Sequence, residues 1–332
     1  MLDDRKAAIL RAVVEKYIET AQPVGSNHVA TTPGVNVSSA TVRNDMATLE
    51  QEGYLVQPHT SAGRIPTDKG YRFFVDSLGR GRLDPRAAQQ VRSFFSGAHG
   101  ALEEMLVDTS RLLANLTNYA AVVVRPPADV ATVRSVQVVG LSAHVVMVVV
   151  VMSNGAIEKT TIEVTDEIGA ERLAAASAHM SRFLIGCTLA DLASVPDAGD
   201  GGLDRLVADA RQALVDELSR DEDHVYVGGA ARMASSFDAV DTVRRVLDAL
   251  EHQFLVVGLI RDVLDRGLSI AIGTEHGVEP LAACSVVVAP YAVDGETVGT
   301  IGVLGPTRMN YPQALAAVEI VSERLGRRLS EG

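Results

Sequence analysis

The sequence predicts an α+β fold in more than one domain, and three observations predict it. Its 332 residues are enough for two or three domains, each with its own core. A stretch near the N-terminus reads as helix, strand, turn and strand. Beyond it, valine-rich runs of strand length sit among stretches of helical periodicity.

Residues Asp3 to Thr20 carry an apolar face of Ile9, Leu10, Val13, Val14, Tyr17 and Ile18, which predicts a first helix. Gln22-Pro23-Val24-Gly25 breaks it, and Ser26 to Ala30 forms a short second helix. Ser38 and Ser39 open a third helix by accepting from its free N–H groups, with Val37 and Val42 placed as a hydrophobic staple. Val42, Met46 and Leu49 form its buried stripe, while Thr41, Arg43, Asn44, Ala47 and Thr48 give the opposite face small, donor-rich side chains. Gly53 ends the helix as a left-handed residue. A strand from Tyr54 to Gln57, a Ser61–Gly63 turn and a return strand through Arg64 and Ile65 complete a β-wing. This order describes a winged helix-turn-helix, whose third helix lies in a major groove. The competing reading is an ordinary small α/β domain with an amphipathic helix and a hairpin.

Asp68 to Leu78 predicts a short helix packing Tyr71, Phe74 and Leu78 beneath the wing, so the module spans 1–78. Gly79-Arg80-Gly81-Arg82 falls in a linker, 79–84, read as a solvated hinge in preference to an arginine arm on phosphate. Pro85 to Asn118 is helical with a break near Gly97–Gly100; its second piece has a stripe of Leu102, Met105, Leu106, Leu112, Leu113 and Leu116.

Tyr119–Arg125, Val133–Leu141 and Val145–Met152 then read as strands, and Asn154-Gly155 as a hairpin turn returning through Ala156–Val164. Their valine content predicts strands buried on both faces, or nearly so. Glu167–Leu184 and Leu203–Arg220 predict helices around a Gly/Asp/Ala-rich loop, Pro196–Gly202. A short strand at Val225–Val227 follows, then helices at Val240–Gln253 and Val257–Asp265. The last third returns to strands at Ser269–Ile272, Ala283–Tyr291 and Glu296–Leu304, the last two joined by Val293-Asp294-Gly295. A final helix opens at Pro312.

Three stretches resemble the heat-inducible transcription repressor family HrcA: Pro23–Ser26 (PVGS), Ser38–Leu55 (SSATVRNDMATLEQEGYL) and Gln57–Arg72 (QPHTSAGRIPTDKGYR). Gly305–Tyr311 (GPTRMNY) carries the resemblance near the other end. It implies a winged helix, a GAF-like domain and an inserted dimerising domain. The GAF-like domain is then split over 85–155 and 246–332, with the insert at 156–245. It also implies repression of chaperone operons by a homodimer on an inverted-repeat operator in double-stranded DNA, with activity supported by the GroEL chaperonin.

Composition is that of a globular protein, 47% apolar and 22% charged. The net charge of −12 does not favour DNA, but its distribution does not forbid it. Residues 1–78 hold eight Lys/Arg against nine Asp/Glu, so the acidity lies in the body. Within the module, Arg43, His59, Arg64, Lys69 and Arg72 are placed to cluster where wing and helix meet phosphate. Cys187 and Cys284 have neither CxxC nor His spacing, which argues against a zinc site or a disulfide framework. The N-terminus reads as an amphipathic helix and no signal peptide. Val145–Met152 is too short to cross a bilayer as a helix, so a cytoplasmic protein without membrane attachment is expected.

On this reading Arg43 makes a bidentate contact to guanine O6 and N7, and Asn44 reads adenine or makes a local polar contact. Ser39 and Thr41 meet phosphate or a thymine methyl, alongside Ser38 and Thr48 on the same helix. Asp45 faces away or pairs with a base-contacting arginine. At the wing, His59, Thr60, Ser61 and Arg64 meet the backbone or minor groove, and Gly63 permits the tight turn.

No enzyme site is expected. Gly299, Gly302 and Gly305 lack the spacing of a pyrophosphate loop, and no HExxH, nucleophile elbow or catalytic cysteine signature occurs. No cofactor or metal is implied. Arg308-Met309-Asn310-Tyr311 reads as a functional contact or a turn that starts a helix. Two other functions stay open: a repressor sensing a metabolite in the GAF-like domain, and an enzyme with a winged-helix appendage.

Overall fold

The computed structural model describes residues 2–59, 62–79, 81–97, 102–125, 131–153, 155–220, 225–235, 237, 239–267, 269–293 and 295–331. The expected residues Thr60 and Ser61, Arg80 of the linker and Asn154 and Asp294 of two turns lie outside them.

The N-terminal unit folds as α1 (Asp4–Thr20), α2 (Ser26–Ala30), α3 (Ser39–Gln51), a hairpin of β1 (Leu55–Val56) and β2 (Ile65–Pro66), and α4 (Asp68–Asp76). Asp3 caps α1 by accepting from the Lys6 N–H at 2.8 Å. Ile9, Leu10, Val13 and Val14 of α1 meet Val42, Met46 and Leu49 of α3 in one core. The hairpin is shorter than expected, pairing Leu55 with Pro66 and Val56 with Ile65.

Helices α5 (Pro85–Gly97) and α6 (Leu102–Thr117) follow. The linker before them is not a free hinge: a Cβ added to Gly81 would collide with the Pro312 carbonyl, so this stretch of chain lies against the C-terminal helix.

A five-stranded antiparallel sheet runs β7-β3-β10-β9-β8, from β3 (Ala120–Val124), β7 (Val225–Gly228), β8 (Ile270–Ile272), β9 (Cys284–Val293) and β10 (Glu296–Pro306). Alternation assigns its two faces. Ala121, Val123, Val287, Ile301 and Val303 pack with the core shared by α6 and α12 (Tyr311–Glu331). Ala120, Val122, Val286, Val288 and Leu304 pack with α10 (Val240–Glu251) and α11 (Gln253–Asp265). A short α9 (Ala230–Ala234) closes that side. Here β3 is buried on both faces, as its composition predicts.

A second sheet, β4-β5-β6, is separate and antiparallel, from β4 (Val133–Ser142), β5 (Val145–Met152) and β6 (Ile157–Glu163). Its valines are not doubly buried. In β5 every second residue is buried and the alternate ones are half-exposed, because α7 (Ala170–Leu184) and α8 (Gly201–Arg220) pack against the sheet while its other face stays open. Val139 (45% exposed) and Ile157 (43%) lie on that open face. The expected edges at 156 and 245 therefore do not follow the sheets: β4 and β5 share no sheet with the C-terminal strands, and β7 pairs with β3 instead of standing in the insert.

Along the free edge of β4, Ser177 Oγ of α7 accepts from the Val138 N–H at 2.8 Å and Ser181 Oγ donates to the Val136 carbonyl at 3.2 Å. The two sheets are joined by a buried ion pair between Arg125, after β3, and Glu158 of β6. Among the described residues no helix is long and apolar enough to cross a membrane.

Candidate nucleic-acid interface

Helix α3 begins at a built cap. Ser38 Oγ accepts from the Thr41 N–H at 3.2 Å and lies 3.0 Å from Thr41 Oγ1. Ser39 Oγ donates to Asn27 Oδ1 and lies 3.2 Å from Ser26 Oγ, which fastens the start of α3 to α2. Gly53 takes φ +78°, the left-handed value expected of it.

Arg43 and Asn44 stand side by side, exposed, and neither side chain is held by another described residue. Thr48 returns its hydroxyl to the Asn44 carbonyl at 3.2 Å.

The acidic residues of α3 are engaged within the chain. Asp45 is buried at 6% exposure and takes Arg5 of α1 in a fork, Nε to Oδ2 at 2.8 Å and a second nitrogen to Oδ1 at 3.2 Å. The carboxylate holds the Arg5 guanidinium above its usual pKa. Of the two expectations for Asp45 the structure shows the first: the carboxylate faces away from the exposed side of α3 and pairs with α1, 40 residues away in sequence, and not with a base-contacting arginine. Glu50, in the last turn of α3, accepts from Arg64 Nε at 2.9 Å.

Arg64 therefore sits at the root of the β1–β2 hairpin. Its backbone exchanges two 2.9 Å hydrogen bonds with Val24, in the loop between α1 and α2. Gly63 is required by this approach and not by its φ: an added Cβ would collide with the Val24 carbonyl. At the outer end of the hairpin, His59 is exposed, its carbonyl accepting from the Ala62 N–H at 2.9 Å.

The expected cluster of five basic residues does not form. Lys69 donates to the Glu52 carbonyl at 2.8 Å and lies 4.2 Å from the centre of the Tyr54 ring. Arg72 turns toward the body, where its Nε donates to Glu275 Oε1 at 2.9 Å and its Nη2 to the Ile270 carbonyl at 2.9 Å. Beside it Asp68 accepts from Thr274, N–H at 3.2 Å and Oγ1 at 3.0 Å. Arg43, Asn44 and His59 remain outward.

Sequence reasoning misses Arg5 and Glu50. Arg5 has no local signal, since only tertiary packing brings α1 across α3. Glu50 has one: a hairpin returning past the last turn of α3 brings its second strand, with Arg64, back beside it.

The GPTRMNY string resolves as structure. Met309 and Tyr311 are fully buried, and Asn310 Oδ1 accepts from the Gln313 N–H at 3.2 Å in the first turn of α12. Tyr311 lies 2.8 Å from Ser285 Oγ through its hydroxyl and packs its ring 6.0 Å from that of Tyr71 in α4.

A helix that ties up its carboxylates and turns its donors outward suits the class of transcription regulators. Residues 103–315 match the family model of the HrcA protein C terminal domain. A heat-inducible transcription repressor HrcA from a Nocardioides species is 39% identical, with both chains covered completely. The one from Streptomyces avermitilis is 38% identical over the full length of both. A crystal structure of a hypothetical protein at 2.2 Å resolution superposes with TM-score 0.71 at 24% identity over 100% of this chain and 99% of that one, a likeness of fold. The chain belongs to the HrcA family of heat-inducible transcription repressors; it is a repressor of heat-shock genes and not an enzyme.

Proposed function

We propose that this repressor binds an inverted-repeat operator upstream of chaperone genes as a homodimer, reading each half-site with α3. One observation carries the reading: Arg43 and Asn44 are exposed and, among the described residues, unengaged on a helix whose acidic side chains, Asp45 and Glu50, are each held by an arginine of the same chain. A helix so neutralised presents donors to base edges without bringing carboxylates to phosphate. Arg43 suits guanine and Asn44 suits adenine. Ser39 and Thr41 stand at the helix start, where phosphate contacts fix register, and His59 stands where a wing meets the backbone.

In this reading residues 1–78 are a winged helix-turn-helix and the five-stranded sheet with its helices is a GAF-like domain. The three-stranded sheet with α7 and α8 is the inserted dimerising domain; the sheet memberships support an insert running from β4 to α8. Its open face, with Val139 and Ile157 exposed, supports self-association. Two half-sites add their energies, so a dimer needs few base contacts per protomer. Both faces of the five-stranded sheet are filled by apolar side chains, which favours this reading over a metabolite sensor.

A repressor acting on chromosomal DNA works in the cytoplasm, with the GroEL chaperonin as the partner that sustains its activity. An electrophoretic shift assay tests the operator: a duplex bearing the inverted repeat upstream of a chaperonin operon is retarded, and a scrambled duplex of equal length is not. Equal retention of both at physiological salt rejects the reading. Chaperonin and ATP restore binding to an inactivated preparation; identical binding without them removes that partner.

A further inference from the structure

We infer that Arg64 is a positioning residue for operator recognition: it spans the wing root and the last turn of α3 and sets the angle between them, and it does not contact DNA. The inference rests on the operator-binding reading above and removes Arg64 from the wing contacts expected from sequence.

Three observations carry it. The backbone of Arg64 is fixed at both its N–H and its carbonyl, each hydrogen-bonded to Val24 at 2.9 Å, so the residue cannot swing outward with the wing. Its guanidinium is engaged, with Nε 2.9 Å from Glu50 Oε2, and only 18% of the side chain is exposed. Arg43, by contrast, is exposed and unengaged among the described residues. Gly63 supplies a further constraint, since the chain immediately before Arg64 is packed flat against the Val24 backbone with no room for a side chain.

Arg64 joins three segments that have no continuous secondary structure between them: its side chain reaches the C-terminal turn of α3, its backbone reaches the α1–α2 loop, and it leads directly into the second strand of the hairpin. A hairpin of two paired residues per strand has little stability of its own. Its direction relative to α3 is therefore set by what holds its root. Releasing Arg64 from Glu50 leaves the wing root held on Val24 but unfastens the last turn of α3 from it, so the angle between the two relaxes and the wing tip and α3 no longer meet the duplex in one register. A charge that touches phosphate and a charge that aligns two elements leave different marks on salt dependence. Removing one cation from phosphate lowers the slope of log K against log salt by about 0.9. Misalignment weakens specific binding while the number of displaced counterions stays the same.

The test measures binding of the full-length chain to the inverted-repeat duplex and to a scrambled duplex across a salt series, for wild type, Arg64→Ala, Glu50→Ala and the exchanged pair Glu50→Arg with Arg64→Glu. The wild type first has to prefer the inverted repeat; if it does not, the operator-binding reading itself fails, independently of Arg64. Given that preference, Arg64→Ala and Glu50→Ala each weaken operator binding by roughly tenfold, the effect of removing one charge-assisted bond. Both keep the wild-type salt slope, and the exchanged pair recovers most of the affinity. Glu50→Ala decides the matter even if Arg64→Ala folds poorly, because it frees the arginine without removing it. Unchanged or tighter operator binding by Glu50→Ala, or a salt slope reduced in Arg64→Ala, overturns the inference and makes Arg64 a phosphate contact.

Discussion

Arg72 and Glu275 lie 203 residues apart and meet in a forked ion pair, with the Arg72 Nε donating to Oε1 at 2.9 Å. The same guanidinium reaches the Ile270 carbonyl at 2.9 Å, and Glu275 also accepts from the Ile272 N–H at 2.9 Å. Glu275 holds the guanidinium above its ordinary pKa, through the hydrogen bond first. The pair fastens α4, the last helix of the N-terminal unit, to the edge of the five-stranded sheet. Tyr71 and Tyr311 pack beside it.

Breaking that fastening costs stability. Arg72→Ala lowers the free energy of unfolding by roughly 1–3 kcal/mol, since it strands a carboxylate and a carbonyl that are partly withdrawn from water. Chemical denaturation of Arg72→Ala, Glu275→Gln and the double variant gives a coupling energy. Strict additivity of the two single changes shows that the residues act independently and that the joint lies elsewhere.

His276 makes the fold sensitive to acid. Its ring is 2% exposed; Nε2 donates to the Leu281 and Cys284 carbonyls at 3.1 and 3.3 Å, and Nδ1 accepts from the Val278 N–H at 3.2 Å. That set requires the neutral ring, and burial lowers its pKa below the ordinary 6.5. The unfolded chain then binds a proton more readily than the native one. His276 therefore costs no stability above pH 6.5, and stability falls as pH drops from 6.5 toward the lower folded value. The thermal midpoint measured from about pH 8 to about pH 5 declines through that window in the wild type and declines less in His276→Gln.

Gly63 has no room for a side chain. Gly63→Ala drives a methyl into the Val24 carbonyl and destabilises the N-terminal unit by roughly 1–3 kcal/mol. Thermal unfolding reads the effect. By contrast, Gly25→Ala, with open space around the added carbon, moves the midpoint little.

Arg43→Ala separates recognition from folding. It weakens operator binding by roughly 1–3 kcal/mol for each base edge the guanidinium reads, while the thermal midpoint stays at the wild-type value. Footprinting is the measurement, and undiminished operator protection would strike Arg43 from the reading surface.

What can be read from the sequence is whatever a single segment determines. The cap at Ser38, the stripe of Val42, Met46 and Leu49 and the left-handed Gly53 all follow from one helix and its ends. The runs of valine are harder. β3 and β5 look alike as sequence, yet β3 lies between two layers of helices and β5 has one open face, a difference set by the sheet each joins. Charge pairs are least legible. Arg5–Asp45 and Arg72–Glu275 depend on tertiary docking, so the basic residues near the wing look like one patch in sequence although Lys69 and Arg72 are engaged elsewhere. The sequence marks Gly63 as a turn residue, whereas the fold needs it as a point of close backbone approach.

The serines of α7 have a consequence for the outer strand of the three-stranded sheet. A strand at the border of a sheet normally displays amide and carbonyl groups that another molecule can zip onto. On β4 the Val138 amide and the Val136 carbonyl are already taken by Ser177 and Ser181. Fibrous growth by strand addition finds no seat there until α7 itself peels away, so this margin stays inert for as long as the helix holds.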